Sequence, residues 1–295
     1  MEPLCTFNTG IEYGHIDISS AINDELKQIT DWLDLNKLSL NAKKTKMMLF
    51  HHHQKNITGL IPKLRINNIP IERVKEFNFL GIVLDEGLTW KSHVQKVCSK
   101  IACVVGTINR LKNFLPRPIL RMIYNALIQP HINYGILLWG HTNSRVIKLQ
   151  KWAVRAITGS KYNAHCDPLF KQLSILKVWD THKLNAIKFF HKYKNNALPA
   201  SFCNILVAPI TPTHPQNTRY RNEPRYPVPN TVHSESTVRY YIPDLIKSLP
   251  KCITDKVTTH SLKGIALYIK NYFISSYKDT CTNQNCYVCN MNESS

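Results

Sequence analysis

The sequence predicts an α+β fold: a helix with a few short antiparallel strands, then a mostly α-helical stretch, then a Pro-rich C-terminal extension. Three observations carry that reading. The spacing of apolar residues mixes one helical stretch with short apolar blocks up to about residue 89, then turns helical and stays so. The charge changes at the same point. Residues 1–89 hold 10 basic and 11 acidic residues, residues 90–195 hold 18 and 2, and residues 196–295 hold 10 and 6. Finally, seven prolines between Pro199 and Pro229 break up the last third, where long apolar runs are scarce. The boundaries predicted from these shifts are 1–89, 90–198 and 199–295.

The elements follow in order. Residues 1–16 have no clear period and read as a start cut into something larger. From Asp17, the residues Ile18, Ile22, Leu26, Ile29 and Leu33 recur at helical spacing, with Asp17 or Ser19 able to cap the start and Asn36 able to close the end. A lysine-rich turn leads into "KMMLFHH", which reads as a short buried strand. Asn67 and Asn68 tolerate positive φ and suit a tight hairpin turn. Phe77, Phe79, Leu80, Ile82, Val83 and Leu84 read as a second buried strand, with Gly81 marking a bulge or a close backbone approach.

Beyond Trp90, Val94, Val97, Ile101, Val104, Val105, Ile108 and Leu111 form one apolar helical stripe. "PRPILRMIYNALIQP" is a helix bounded by prolines, and "SRVIKLQKWAVRAITG" is one that ends at Gly159. On the second, Arg145, Lys148, Lys151 and Arg155 occupy one arc, and Val146, Leu149, Ala153 and Ile157 another, with Trp152 at the border of the basic arc. Residues 165–195 read as two more helices, and a last helix is expected near 259–274.

The formal net charge is +19, and residues 90–195 carry +16 of it. Repulsion within such a block opposes folding, so a polyanion is its natural partner. No N-terminal stretch combines a positive region with an apolar one, and no run reaches the roughly 18 apolar residues of a membrane span. The expectation is an unsecreted protein of the nucleus or cytoplasm, not bound to membranes, with its nine cysteines reduced.

Four stretches together resemble the reverse transcriptases of non-LTR retrotransposons. "ELKQITDWLDLNKLSLNAKKTKMMLF" resembles their helix-turn-strand motif D, and "FNFLGIVLDEGLTWKSHV" the primer-grip hairpin that follows. "RMIYNALIQPHINYGILLWG" is similar to the thumb signature, and "TVRYYIPDLIKSLP" to a stretch beyond the thumb. They run in order from Glu25 onward.

The resemblance implies a partial polymerase palm over 1–89, a thumb over 90–198, and an RNA template and DNA primer, or an RNA/DNA duplex, as partners. Lys44, beside Lys43, Thr45 and Lys46, is the best match to the motif D lysine that protonates the pyrophosphate leaving group. Nearby cations favour the lower lysine pKa such a task needs. The strand Phe79–Leu84, with Phe79, Leu80 and Gly81, would hold the primer end, and the basic helices would grip phosphates without reading sequence.

The family enzymes place two metal ions, Mg2+, on aspartates that include an Asp-Asp hairpin just before the motif D helix. Here that place reads "TFNTGIEYGHID", and no Asp-Asp pair occurs anywhere in the chain. The remaining catalytic parts would lie upstream of Met1. The expectation is therefore no cofactor and no polymerisation by this chain alone, only binding of nucleic acid.

Other residues admit two readings each. Arg145, Lys148, Lys151 and Arg155 are either a phosphate-tracking stripe or a solvated face. Trp152 either stacks on a base or packs, and Trp139 reads as core. Cys281, Cys286 and Cys289 are either free thiols or three zinc ligands completed by His260 or Cys252; the spacing also occurs in plant-type iron–sulfur proteins, which need a fourth cysteine downstream. His51, His52 and His53 cannot all face one metal from a strand and read as loop. Two other functions share the sequence with the polymerase fragment: a non-enzymatic RNA/DNA-binding protein of retroelement origin, and an interaction protein using exposed apolar surface.

Overall fold

The computed structural model describes residues 18–41, 44–51, 62–142, 144–202, 205–206 and 235–279. They are mixed α and β, helix-dominated, and fall into two compact units, Met1–Ser92 and His93–Ser295. The Pro-rich stretch 207–234, the lysine Lys43, the histidines His52 and His53, and the cysteines Cys281, Cys286 and Cys289 lie outside the described residues.

In the first unit, α1 (Ile18–Leu35) turns Ile22, Leu26, Ile29 and Leu33 inward as their spacing demands. Asn36 donates its side-chain amide to the Trp32 carbonyl at 2.7 Å, but Lys37, at φ 58°, takes the left-handed closing position. The strands come in three separate pairs. β1 (Lys46–Met47) runs parallel to β4 (Glu72–Arg73), with Lys46 paired to Glu72 by an ion pair. β2 (Arg65–Ile66) and β3 (Ile69–Pro70) form the expected hairpin, with Asn67 and Asn68 at φ 47° and 64°. β5 (Glu76–Phe79) and β6 (Ile82–Asp85) form another hairpin.

Three expectations need correction here. "KMMLFHH" is not a buried strand but two strand residues, half-buried, because the only described partner is the equally short β4. That pair is parallel, so the strands are not uniformly antiparallel. The stretch Phe77–Leu84 is not one strand either. It folds back at Leu80 and Gly81, with φ 46° and 85°, so Gly81 makes a two-residue hairpin turn rather than a bulge. Apolar residues on both arms of a tight hairpin give the same pattern as one buried strand, which is why the spacing misleads.

In the second unit, α2 (Lys91–Leu111) buries Val94, Val97, Ile101, Val105 and Ile108. α3 (Arg117–Leu127) starts with proline at its first turn, and α4 (Gln129–Asn133) restarts the chain with Pro130 where a missing N–H costs nothing. α5 (Ile136–Trp139) and a short 3-10 turn (Gly140–Thr142) follow, and Trp139 is fully buried, as expected, with its indole N–H on the Tyr134 carbonyl at 2.9 Å. Then come α6 (Ser144–Thr158), α7 (Cys166–Leu173) and α8 (Val178–Lys194).

The predicted last helix has two predecessors that proline content hides: α9 (Val238–Ser248, with Pro243 inside it) and α10 (Lys251–Thr259), before α11 (Leu262–Ser275). All three pack on α8 in one apolar cluster that includes Leu184, Ile187, Ile242, Val257, Ile265 and Ile269.

Candidate nucleic-acid interface

The basic arc of α6 depends on how the helix is seated. Its inner face is Val146, Ile147, Ala153, Val154 and Ile157, all buried, with Leu149 only half-buried. The inner position that spacing does not reveal is Gln150. Its amide NH2 donates to the Tyr124 hydroxyl at 2.7 Å and to the Leu176 carbonyl at 2.8 Å, and its amide oxygen accepts from the Val178 N–H at 3.0 Å. One buried side chain thereby joins α3, α6 and the start of α8, and fixes the rotation of α6. Burial, only partly offset by the Gln150 hydrogen bond, pushes the Tyr124 hydroxyl pKa well up, so it stays a neutral acceptor.

With that face inward, Arg145 and Lys148 are exposed and Lys151 half-exposed. Trp152 is 60% exposed, so much of its ring faces solvent. Arg155 is otherwise engaged: its Nε and Nη2 both donate to the Ala164 carbonyl, at 2.9 and 2.8 Å, tying down the loop after α6. Arg155 and Lys151 also act on Cys166, whose thiol is pushed up by burial and drawn back by those charges. On α2, the Cys98 thiol is likewise raised by burial and lowered by Arg145.

The two carboxylates of the basic block are both spent internally. Asp167 pairs with Lys177 at 2.8 Å, and Asp180 accepts the Tyr277 hydroxyl at 2.6 Å. Tyr277 also accepts the Lys177 N–H at 3.0 Å and carries the Lys177 ammonium 4.3 Å from its ring centroid. Among the described residues, therefore, no carboxylate pairs with Arg145, Lys148 or Lys151.

The remaining sequence-predicted residues belong to the first unit. Lys44 is exposed on a turn held by Asn41, whose backbone and side-chain oxygens both accept the Lys44 N–H, at 3.0 and 3.2 Å. Leu80 is 72% exposed at the hairpin tip, beside exposed Gly81, while Phe79 is half-buried at the end of β5. The hairpin runs into a hydrogen-bonded loop. Asp85 accepts the N–H groups of Gly87, Thr89 and Trp90 at 3.2, 2.9 and 2.9 Å, with Leu88 and Trp90 both at positive φ.

Another missed feature sits behind the thumb-like signature. His182, on α8, stacks on Tyr241 with centroids 4.6 Å apart, and a Cβ on Gly140 would fall 2.6 Å from its ring. Burial, then the charges of His141 and Lys183, lower its pKa to about 4. Glycine in "LLWG" is the only sequence hint of this contact.

No family model matches the chain, and no solved structure matches it. Curated proteins do. A probable RNA-directed DNA polymerase from transposon X-element of Drosophila melanogaster is 21% identical over 218 residues, covering 71% of this chain and 23% of the relative. The RNA-directed DNA polymerase from mobile element jockey of the same fly is 23% identical over 226 residues, or 72% and 24%. Its namesake in Drosophila funebris is 22% identical over 185 residues, or 60% and 20%. The chain thus spans about a quarter of the length of the curated relatives it matches. Agreement among separate mobile elements over about 60–72% of this chain supports a reverse transcriptase-related protein.

Proposed function

We propose that this chain is a C-terminal fragment of a mobile-element reverse transcriptase that holds primer and template and does not itself transfer nucleotides. The single observation that carries it is the uncompensated cationic face of α6. Arg145, Lys148 and Lys151 stand without a carboxylate partner among the described residues, in a block where both acidic side chains are used elsewhere. A face kept only for solubility has no reason to withhold its carboxylates, since acidic residues serve solubility better. The relatives' names, RNA-directed DNA polymerase, supply the polyanion.

In this reading the second unit is the thumb and the first is part of the palm. The Leu80–Gly81 tip is the primer grip, and Lys44 is the counterpart of the motif D lysine. Polymerases of this class place Mg2+ on paired aspartates. The sequence has no Asp-Asp pair, and among the described residues no three His, Cys, Asp or Glu side chains converge as metal ligands. The described residues do not fit such a metal site, and the proposed role needs no metal-dependent step. The role left is positioning: cations fix the register of the duplex by its phosphates, and sequence goes unread. No helix among the described residues is long and apolar enough to cross a membrane.

The test is binding of a fluorescent RNA/DNA hybrid over a salt series. The expected result is a linear fall of log affinity with log salt. The triple variant Arg145→Ala, Lys148→Ala, Lys151→Ala should have a shallower slope, by about 0.9 for each phosphate it no longer neutralises. Weak binding that is flat with salt overturns the reading.

A further inference from the structure

Two large aromatic side chains, one on α6 and one on the loop that follows it, are largely exposed. Trp152 is 60% exposed and Tyr162 is 88% exposed. The structure also connects their positions. Trp152 precedes Arg155 by three residues, which puts both on one side of α6. Arg155 grips the Ala164 carbonyl through two hydrogen bonds, and Tyr162 lies two residues before Ala164.

The loop that carries Tyr162 is built to return to the helix. Gly159, at φ 69°, reverses the chain, the Ser160 N–H donates to the Arg155 carbonyl at 3.1 Å, and the Thr158 and Ser160 hydroxyls lie 2.8 Å apart. Lys161, on the same loop, is exposed. Among the described residues it pairs with no carboxylate, as is also true of Lys148 and Lys151.

A duplex offers such a surface only phosphates, because its base faces are hidden in the stack. Cations alone would suffice for it. Exposed aromatic rings among cations match a different ligand, a single strand whose unstacked bases each present a π face. We propose that Lys148, Lys151, Trp152, Lys161 and Tyr162 form a binding strip for single-stranded nucleic acid, with bases stacked on Trp152 and Tyr162 and phosphates met by the lysines. Arg155 is the positioning residue that holds the loop half of the strip against the helix half. This assignment rests on the nucleic-acid-holding role proposed above and adds a single strand, besides the duplex, to what this face takes.

The test compares a labelled 20-nucleotide oligo-dT with a blunt mixed-sequence duplex by fluorescence anisotropy, using the full chain. Trp152→Ala is expected to raise the Kd for oligo-dT by about five-fold or more, the effect of removing one stacked base. The duplex Kd should stay within about two-fold and the salt slopes of both ligands should not move, since every phosphate-neutralising cation is still in place. Trp152→Phe, which keeps a ring, should retain most of the oligo-dT affinity, separating stacking from a folding defect. An unchanged oligo-dT Kd for Trp152→Ala, or an equal weakening for strand and duplex, overturns the strip while leaving duplex binding intact. Failure of the wild-type chain to bind either ligand, or binding flat with salt, overturns the underlying role as well.

Discussion

The amide of Gln150 donates to the Tyr124 hydroxyl at 2.7 Å from a position fully sealed from solvent, joining two helices whose partner residues lie 26 positions apart in the chain. The same amide satisfies the Leu176 carbonyl and the Val178 N–H. Buried polar groups left without partners cost about 1–3 kcal/mol each. Gln150→Leu, which keeps the volume and removes every bond, should therefore destabilise the second unit by about 3 kcal/mol or more. Urea unfolding followed by helical circular dichroism measures it. A loss under about 1 kcal/mol would mean that water or rearrangement satisfies the abandoned groups.

His182 predicts an acid sensitivity. Its folded-state pKa, about 4, lies below the ordinary value of 6.5 because burial and the nearby His141 and Lys183 disfavour the charged ring. The unfolded chain then binds the proton more readily. The associated stability is fully present above about pH 6.5 and is lost as pH falls towards 4, reaching roughly 3 kcal/mol. Comparing urea midpoints at pH 7.5 and pH 4.5 for wild type and His182→Phe tests this. The variant should lose less stability on acidification, and equal losses would remove His182 as the cause.

Gly140 meets the same ring. A Cβ there would sit 2.6 and 2.8 Å from two ring carbons, closer than packed atoms tolerate. Gly140→Ala is expected to destabilise the unit by about 1–3 kcal/mol even though Gly140 itself is helical at φ −62°. In a His182→Ala background the penalty should largely vanish, which a double-mutant cycle reads directly.

Asp85 closes the loop after the β5–β6 hairpin by accepting three backbone N–H groups while Leu88 and Trp90 hold positive φ. Those two backbones are strained for side-chain-bearing residues, so the carboxylate offsets a cost that remains when it is gone. Asp85→Ala should lower the thermal midpoint of the first unit, with an effect of about 2 kcal/mol. Asp85→Asn, which keeps an acceptor, should cost less. Equal effects would argue that charge rather than hydrogen bonding matters.

Leu80 sits at φ 46° on an exposed tip, a position that favours asparagine or glycine. Leu80→Asn is expected to stabilise the hairpin by about 0.5–1 kcal/mol, read as a midpoint a few degrees higher. If the tip holds a primer end, the same variant should bind an RNA/DNA hybrid more weakly while being more stable. Gain of stability with unchanged binding would separate the tip from the ligand.

Much of this was legible in one dimension. Helical periods along α1, α2 and α6, the Asn67–Asn68 turn and the burial of Trp139 follow from local spacing and local steric preference, which travel with the sequence. So does the concentration of positive charge, because composition needs no fold.

What tertiary structure decided are facts about pairs distant in the chain. Spacing marks Trp152 as a border residue; only the seating of α6 through Gln150 turns it out to solvent. Arg155 looks the same as Lys148 in sequence, and only the returning loop takes its guanidinium away from solvent and gives it to Ala164. Asp167 and Asp180 are simply two carboxylates until Lys177 and Tyr277 claim them and leave the α6 cations unbalanced. The physical reason is common to all three. A periodic pattern specifies which side of an element is apolar, whereas a hydrogen bond or ion pair is consumed by whichever partner folding brings within about 3 Å.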